Sequence, residues 1–101
     1  MRVVLAAAAA QDLDDIAAWI AQDHPGRAIA FIKELRDACR GLGRPPLRFQ
    51  LVPRYERHGI RRRVHGRYLI FYRIRASQVE VLRILDGARD FEPLIFPETR
   101  E

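Results

Sequence analysis

Apolar residues in the first half of the chain recur at the spacing of an α-helix. Four of them lie three and four residues apart, as one face of a helix requires: Leu13, Ile16, Ala17 and Ile20. This pattern predicts a first helix that begins near Asp12, which then acts as its N-cap or first-turn acid. A second helix is predicted after Pro25 and Gly26, which end the first. Its apolar stripe is the strongest periodic signal in the sequence and contains Ala28, Phe31, Ile32, Leu35, Ala38, Cys39 and Leu42.

The connection between the two stripes is so short that the helices are predicted to pack as an antiparallel hairpin. Before the first helix, Val3 to Leu5 are predicted to form a short strand. The alanine run that follows either extends this strand or forms a loop. Gly41 and Gly43 are predicted to end the second helix, and the two prolines after them prevent its continuation.

The second half of the chain has the pattern of β-strands. Three strands are predicted, over residues 60–64, 67–74 and 79–85. A two-residue hairpin turn is expected at His65-Gly66, and a second turn over residues 76–78. Because residues 68–72 are apolar at consecutive positions, the middle strand is predicted to be central, with helices on one face and other residues on the opposite face.

The remaining segments complete a predicted α+β fold of order β-α-α-β-β-β. Residues 44–56 contain three prolines and are expected to form a loop with a short extended piece at 49–52. An apolar cluster in the tail either covers the sheet or stays partly open for a partner: Phe91, Leu94, Ile95 and Phe96. The expected architecture is an antiparallel helical hairpin packed on a small, mainly antiparallel sheet. At this length, residues 1–101 are expected to form a single domain.

Composition indicates where the protein works. No apolar run reaches the ~18 residues that a membrane helix needs. The N-terminal run MRVVLAAAAA is interrupted by Gln11 and Asp12, so it is too short for a signal peptide. Cys39 is the only cysteine, which excludes a disulfide framework. We therefore expect a soluble cytoplasmic protein with no membrane partner.

Positive charge is concentrated in the sheet half of the sequence. The net charge is +5, but residues 44–89 carry twelve arginines against three acidic residues. The guanidinium fork suits bidentate contact with carboxylate or phosphate, so these arginines indicate a surface that binds an anionic macromolecule. The alternative is internal pairing with Glu80, Asp86 or Asp90.

The sequence offers few residues for catalysis. It contains no phosphate-binding glycine loop, no metal-spaced His/Cys cluster and no nucleophile motif, so no metal, cofactor or small-molecule substrate is predicted. His24, His58 and His65 are each more typical of exposed turn residues than of catalytic bases. Trp19 accompanies Ile16 on the first helix, where it either packs in the core or contacts a partner.

Four motifs follow one another along the chain: Ala9-x-x-Asp12-Leu13-x-x-Ile16-x-x-Trp19-Ile20, Pro25-x-Arg27-Ala28-x-x-Phe31-x-x-x-Leu35, Gly59-Ile60-Arg61 followed by Gly66-Arg67-Tyr68-Leu69-Ile70-Phe71-Tyr72, and Val81-Leu82-Arg83-Ile84-Leu85 with Gly87-Ala88-Arg89-Asp90. On these motifs the chain resembles the ParE/RelE superfamily of small toxins from bacterial toxin–antitoxin operons. The resemblance covers nearly all of the sequence.

The sequence is more similar to the ParE branch than to the RelE branch. RelE-like nucleases use lysines, arginines and a C-terminal Tyr or His to cleave RNA. Here Lys33 is the only lysine, and the tail offers no Tyr or His. One departure from many ParE-like chains is Asp86, where they have His. The resemblance to ParE implies a plasmid-stabilisation toxin that inhibits growth without being an enzyme, by binding DNA gyrase or a gyrase–DNA complex. It also implies a ParD-like antitoxin as partner.

The resemblance assigns residues to these roles. Target contacts are expected from four arginines: Arg61, Arg63, Arg83 and Arg89. Antitoxin contacts are expected from Trp19, Ile20, Phe31, Arg73, Phe91 and Leu94. Under the alternative of a ribosome-dependent mRNA endonuclease, the catalytic residues are His58, Arg61, His65 and Arg89. A second alternative is a non-toxic remnant that only binds an antitoxin.

Overall fold

The predicted helical hairpin lies on one face of a four-stranded sheet in the computed structural model, which describes residues 1–97. The elements are β1 (Arg2–Leu5), α1 (Ala7–Ala21), α2 (Pro25–Arg40), β2 (Arg61–His65), β3 (Tyr68–Arg75), β4 (Gln78–Asp86) and α3 (Glu92–Ile95), with 3-10 turns at Gly41–Gly43 and Glu56–His58. The sheet order is β1-β4-β3-β2, with β1 parallel to β4 and the other pairs antiparallel. The α+β fold is confirmed, and β3 is central as predicted. None of the helices in residues 1–97 combines the length and the apolar character that a bilayer crossing requires.

The first helix begins earlier than the sequence pattern indicated. It starts at Ala7, directly after β1, so the alanine run is neither strand nor loop. Alanine has the highest intrinsic helix propensity, and here the run is continuous with an amphipathic stripe. Asp12 therefore lies in the second turn and is neither an N-cap nor a first-turn acid. Its carboxylate is turned into the protein, with only 6% of the residue exposed.

Two apolar clusters lie on opposite faces of the sheet. The cluster under the helices includes Leu13, Ile16, Leu35, Leu42, Ile70, Tyr72, Val79 and Val81. The opposite cluster contains Val52, Ile60, Phe71, Leu85 and Phe96. In this second cluster the tail covers the sheet: Phe91 packs on Phe71 with ring centroids 5.0 Å apart, and Phe96 stacks on Tyr55 at 3.9 Å. Leu94 remains at its edge, 36% exposed.

The β2–β3 hairpin turns one residue later than predicted. His65 pairs with Tyr68, so the two loop residues are Gly66 and Arg67. Gly66 has φ +59°, a left-handed conformation that glycine adopts without steric cost. This register places Arg67 at the tip of the hairpin and directs Tyr68 towards the helices. The turn between β3 and β4 lies at Ala76-Ser77, within the predicted segment.

A partly buried ion pair links α1 to β4 at a β-bulge. Phe71 pairs with Arg83 and Tyr72 pairs with Val81, which leaves one extra residue in β4. The Asp12 carboxylate accepts hydrogen bonds from Nε and Nη2 of Arg83, at 2.8 and 2.9 Å, and from the backbone N–H of Ile84 at 2.9 Å. The hydrogen bonding of the Arg83 guanidinium group to the Asp12 carboxylate raises the pKa of Arg83. These three hydrogen bonds connect the helical hairpin to the β-bulge in β4.

Cys39 provides a pH-dependent test of core packing. The residue is 3% exposed, and burial raises the pKa of its thiol from 9.0 to about 11. The thiol ionises near pH 9 in the unfolded chain but only near pH 11 in the folded protein. The stability that this group contributes is therefore fully present below pH 9 and is lost as the pH rises to 11. We expect the free energy of unfolding to fall by roughly 2 kcal/mol more over this interval than in a Cys39→Ala variant. Urea unfolding at pH 8, 10 and 11 measures this difference, and parallel pH profiles for the two proteins would contradict it.

Candidate functional site

An exposed tryptophan stands beside a groove between the helical hairpin and the β2–β3 turn. The groove has a volume of 350 Å³ and is lined by Trp19, Ile20, Arg27, Phe31, Gly66, Arg67 and Tyr68. We call it the Trp19 groove. Trp19 is 65% exposed, although it is the largest side chain of the protein and burial would stabilise it. An indole held in solvent beside a groove is typical of a residue that becomes buried on binding.

The floor of the Trp19 groove is aromatic. The ring of Phe31 packs at a tilt against Tyr68, with centroids 5.6 Å apart, and against His65 at 6.0 Å. Tyr68 is 6% exposed, and burial raises the pKa of its phenol, which therefore stays neutral. Ile20 packs against the core below. The floor is thus an apolar surface built on the folded core.

Arginines surround this floor. Arg27 is exposed at the start of α2, and Arg67 at the hairpin tip forms an ion pair with Asp86. A hydrogen bond from the backbone N–H of Ala88, together with Arg67, lowers the pKa of Asp86, so its charge is present at neutral pH. Arg89 is exposed in an adjoining concavity of 240 Å³ that shares Trp19, Arg67 and Tyr68 with the groove.

An aromatic floor with guanidinium groups at its rim suits an amphipathic acidic segment of another protein. Apolar anchors of such a segment fill the groove, and its carboxylates meet the arginines at the rim. Residues 1–97 contain no group of three or more His, Cys, Asp or Glu side chains that could hold a metal ion. The geometry of the Trp19 groove therefore fits macromolecular recognition.

The residues expected to contact an antitoxin divide between two faces. Trp19, Ile20 and Phe31 converge in the Trp19 groove. Arg73 lies on the opposite face of β3, since it is two residues from Phe71, and it pairs with Glu80 at 2.9 Å. Phe91 and Leu94 belong to the tail on that same opposite face. These six residues therefore do not form one continuous site.

The four arginines expected to contact a target are also separated. Arg83 is held by Asp12, and its side chain is 22% exposed, which argues against a target contact. Arg61 donates to the carbonyl oxygen of Phe49 at 2.8 Å, and Arg63 donates to that of Ala38 at 2.9 Å. These two arginines anchor the loop after α2 and the end of α2.

Arg89 has a different environment from the other three. It is exposed beside Trp19, and within residues 1–97 no ion pair or side-chain hydrogen bond engages its guanidinium group. Of the four arginines, Arg89 is therefore the one positioned to contact another molecule.

The alternative catalytic set is not assembled by the fold. His58 packs edge-on against Tyr55 and Phe96 in the cluster opposite the helices. Arg61 and His65 lie four residues apart on β2, which corresponds to about 13 Å along a strand. The side chain of Arg61 is used by the loop carbonyls, and Arg89 lies by the Trp19 groove. The fold therefore does not bring these four residues together.

Sequence reasoning missed several residues of the groove. Arg27, Gly66, Arg67 and Tyr68 were present in the motifs but had no assigned role. For Arg67 the misplaced hairpin turn was the reason, because a turn at His65-Gly66 puts this residue in the strand. The ion pair with Arg67 also gives Asp86 a role at the rim.

Comparison with known proteins agrees with this architecture. A chain of the "Chromosomal ParDE TA system from P. aeruginosa" superposes with a TM-score of 0.73 at 19% sequence identity, over 85% of this chain and 95% of that chain. Comparison with curated proteins gives no match. The family described as "ParE toxin of type II toxin-antitoxin system, parDE" matches residues 3–91. Since this match extends over most of its length, the chain belongs to the ParE toxin family of type II toxin–antitoxin systems.

Proposed function

We propose that the protein is a toxin that inhibits DNA gyrase and that a ParD-like antitoxin neutralises it by occupying the Trp19 groove. The family match over residues 3–91 carries this proposal. The protein acts by binding and needs no cofactor or small-molecule substrate. It works in the cytoplasm, where both gyrase and the antitoxin are found.

The Trp19 groove is the proposed antitoxin site. Trp19 supplies a large aromatic surface, while Phe31 and Tyr68 form a floor that is already packed before binding. A preformed apolar floor reduces the ordering cost of binding, which then falls mainly on the antitoxin segment. Carboxylates of the antitoxin pair with Arg27, Arg67 and Arg89 around the groove.

Arg89 is the proposed gyrase contact. It is exposed and adjoins the Trp19 groove, so an antitoxin bound at Trp19 also shields Arg89. Neutralisation then follows from direct occlusion of the surface that meets gyrase. Arg83 is unsuitable for testing this role, because its removal leaves the buried Asp12 carboxylate unpaired.

A supercoiling assay with purified gyrase tests the proposed function. We expect the toxin to inhibit supercoiling, and we expect Arg89→Ala to raise the half-inhibitory concentration roughly tenfold, as for loss of a central interfacial arginine. The matched control is Arg75→Ala, an exposed arginine at the β3–β4 turn, which should inhibit like the unmodified toxin. Both variants should keep the unmodified melting temperature within error.

Growth experiments distinguish the alternatives. Expression without antitoxin should give filamentous cells and DNA-damage signalling. Cleaved mRNA on purified ribosomes, with normal supercoiling, would instead identify a RelE-type endonuclease. Normal growth without antitoxin would support the non-toxic remnant.

A further inference from the structure

A second basic concavity lies at the C-terminal end of α2. It has a volume of 460 Å³ and is lined by Glu34, Asp37, Ala38, Gly41, Arg44, Arg48, Arg63 and His65. We call it the arginine pocket. It shares no lining residue with the Trp19 groove, and neither the proposed gyrase contact nor the proposed antitoxin contact uses Arg44 or Arg48.

The loop that carries Arg44 and Arg48 is held in place by side chains from the sheet. Arg61 donates to the carbonyl oxygen of Phe49 at 2.8 Å, and the Tyr72 hydroxyl donates to that of Pro46 at 2.9 Å. Arg44 and Arg48 are both exposed, so their guanidinium groups reach solvent from a fixed backbone. Such an arrangement lowers the ordering cost of binding an anion.

Two guanidinium groups lie over one aromatic ring beside the pocket. The guanidinium carbons of Arg48 and Arg63 are 5.1 and 5.0 Å from the centroid of the Phe49 ring. Arg63 is fixed further by its 2.9 Å hydrogen bond to the carbonyl oxygen of Ala38. Planar guanidinium groups ordered against an aromatic ring offer flat surfaces on which a nucleobase can stack.

The charge balance of the pocket is positive. Asp37 forms an exposed ion pair with Arg40, which partly offsets the charge of its carboxylate. Glu34 forms no ion pair within residues 1–97. Its carboxylate would therefore repel an anion bound in the arginine pocket. Arg44, Arg48 and Arg63 outweigh it, and the arginine fork matches the geometry of phosphate oxygens.

We propose that the arginine pocket binds the phosphodiester backbone of a single-stranded nucleic acid, with a base stacked on the guanidinium group of Arg48. The phosphates contact Arg44, Arg48 and Arg63. An acidic peptide is disfavoured, because the lining offers only Ala38 and Gly41 as apolar surface and so lacks the floor that an apolar anchor needs. This site goes beyond gyrase inhibition and can be measured without gyrase.

Fluorescence anisotropy with a labelled oligothymidylate of about twelve nucleotides tests the proposal. We expect salt-sensitive binding that weakens roughly tenfold in Arg44→Ala/Arg48→Ala, with a log–log salt slope smaller by about 1.4, since each lost phosphate contact on a single strand contributes about 0.7. The matched control is Arg57→Ala/Arg75→Ala, which removes the same charge from exposed sites elsewhere and should weaken binding about twofold or less. All of these arginines are exposed, so the variants should fold.

A gain of affinity provides a second, independent readout. Glu34→Gln should tighten oligonucleotide binding roughly threefold, because it removes the opposing carboxylate. Asp23→Asn, an exposed carboxylate in the turn between the helices, should leave the affinity unchanged. Equal weakening by the two double-arginine variants, or no effect of Glu34→Gln, would overturn the site.

Competitors separate the remaining explanations. An oligoglutamate peptide that displaces the oligonucleotide at equal concentration would reassign the pocket to an acidic protein. Displacement by inorganic phosphate at the same concentration would reduce it to a free-phosphate site. The proposal requires that neither competitor displaces the oligonucleotide at concentrations where an unlabelled oligonucleotide does.

Discussion

Replacing Asp12 by alanine should lower the free energy of unfolding by about 3–5 kcal/mol. This is a large part of the 5–15 kcal/mol that stabilises a typical domain, so we expect a partly unfolded protein at 37 °C. The Asp12 side chain is 8% exposed and accepts three hydrogen bonds, two from Arg83 and one from the backbone of Ile84. Removing it leaves a guanidinium charge and an N–H group without their partner. Urea unfolding followed by circular dichroism measures the loss.

Two further variants show whether the unpaired charge is the cause. Asp14→Ala removes an exposed carboxylate two positions along the same helix and should change stability by less than about 0.5 kcal/mol. A double replacement, Asp12→Leu with Arg83→Met, should be more stable than Asp12→Ala alone, because no charge is left buried. A loss below about 1 kcal/mol in Asp12→Ala would mean that water solvates the unpaired Arg83 guanidinium group and that the ion pair contributes little.

Replacing Trp19 by alanine should weaken antitoxin binding by roughly a hundredfold, with little change in stability. The affinity loss corresponds to about 2–3 kcal/mol, as for a tryptophan at the centre of an interface. Stability should be preserved because Trp19 is 65% exposed in the free protein. Titration calorimetry with the antitoxin, together with melting temperatures of the free toxins, measures both quantities. We expect the antitoxin to be encoded in the reading frame next to the toxin gene, as a ribbon-helix-helix protein with an acidic, amphipathic C-terminus.

Ile29 provides the matched control for Trp19. It is 78% exposed on the outer surface of the helical hairpin, where it lines an apolar concavity with Ala18 and Ala21. Ile29→Ala should bind the antitoxin normally, and Trp19→Phe should retain most of the affinity. The opposite result, with normal binding by Trp19→Ala and weak binding by Ile29→Ala, would move the antitoxin site to the outer surface of the hairpin.

The Trp19 groove could be predicted from the sequence only in part. Trp19 and Phe31 were identified because helical spacing and the family motifs place them on neighbouring helices. Their convergence with Tyr68 depends on the hairpin register, where an error of one residue exchanges the two faces of a strand. Arg73 was placed with them because alternation along one strand does not say which face the helices cover. Phe91 was placed with them because the sequence does not say whether the tail covers the sheet or stays open for a partner.

The contacts of the arginines could be predicted from the sequence even less well than the groove. Their clustering over residues 44–89 was evident from counting, but the partner of each arginine was not. The expected acids were Glu80, Asp86 and Asp90, and the first two do pair with Arg73 and Arg67. Arg83 pairs instead with Asp12, 71 residues away, because a bulge turns β4 at that point.

The sequence by itself determined the order of elements, the helical hairpin and the central position of β3. These follow from local periodicity and from the uninterrupted apolar run at residues 68–72, which any compact arrangement must bury on both faces. Only the tertiary structure decided which charges are buried and which are available. Hydrogen-bond geometry at a bulge and the register of a hairpin turn depend on contacts distant in sequence. For that reason Arg83 is partly buried and paired with Asp12, whereas Trp19 and Arg89 are exposed at the surface.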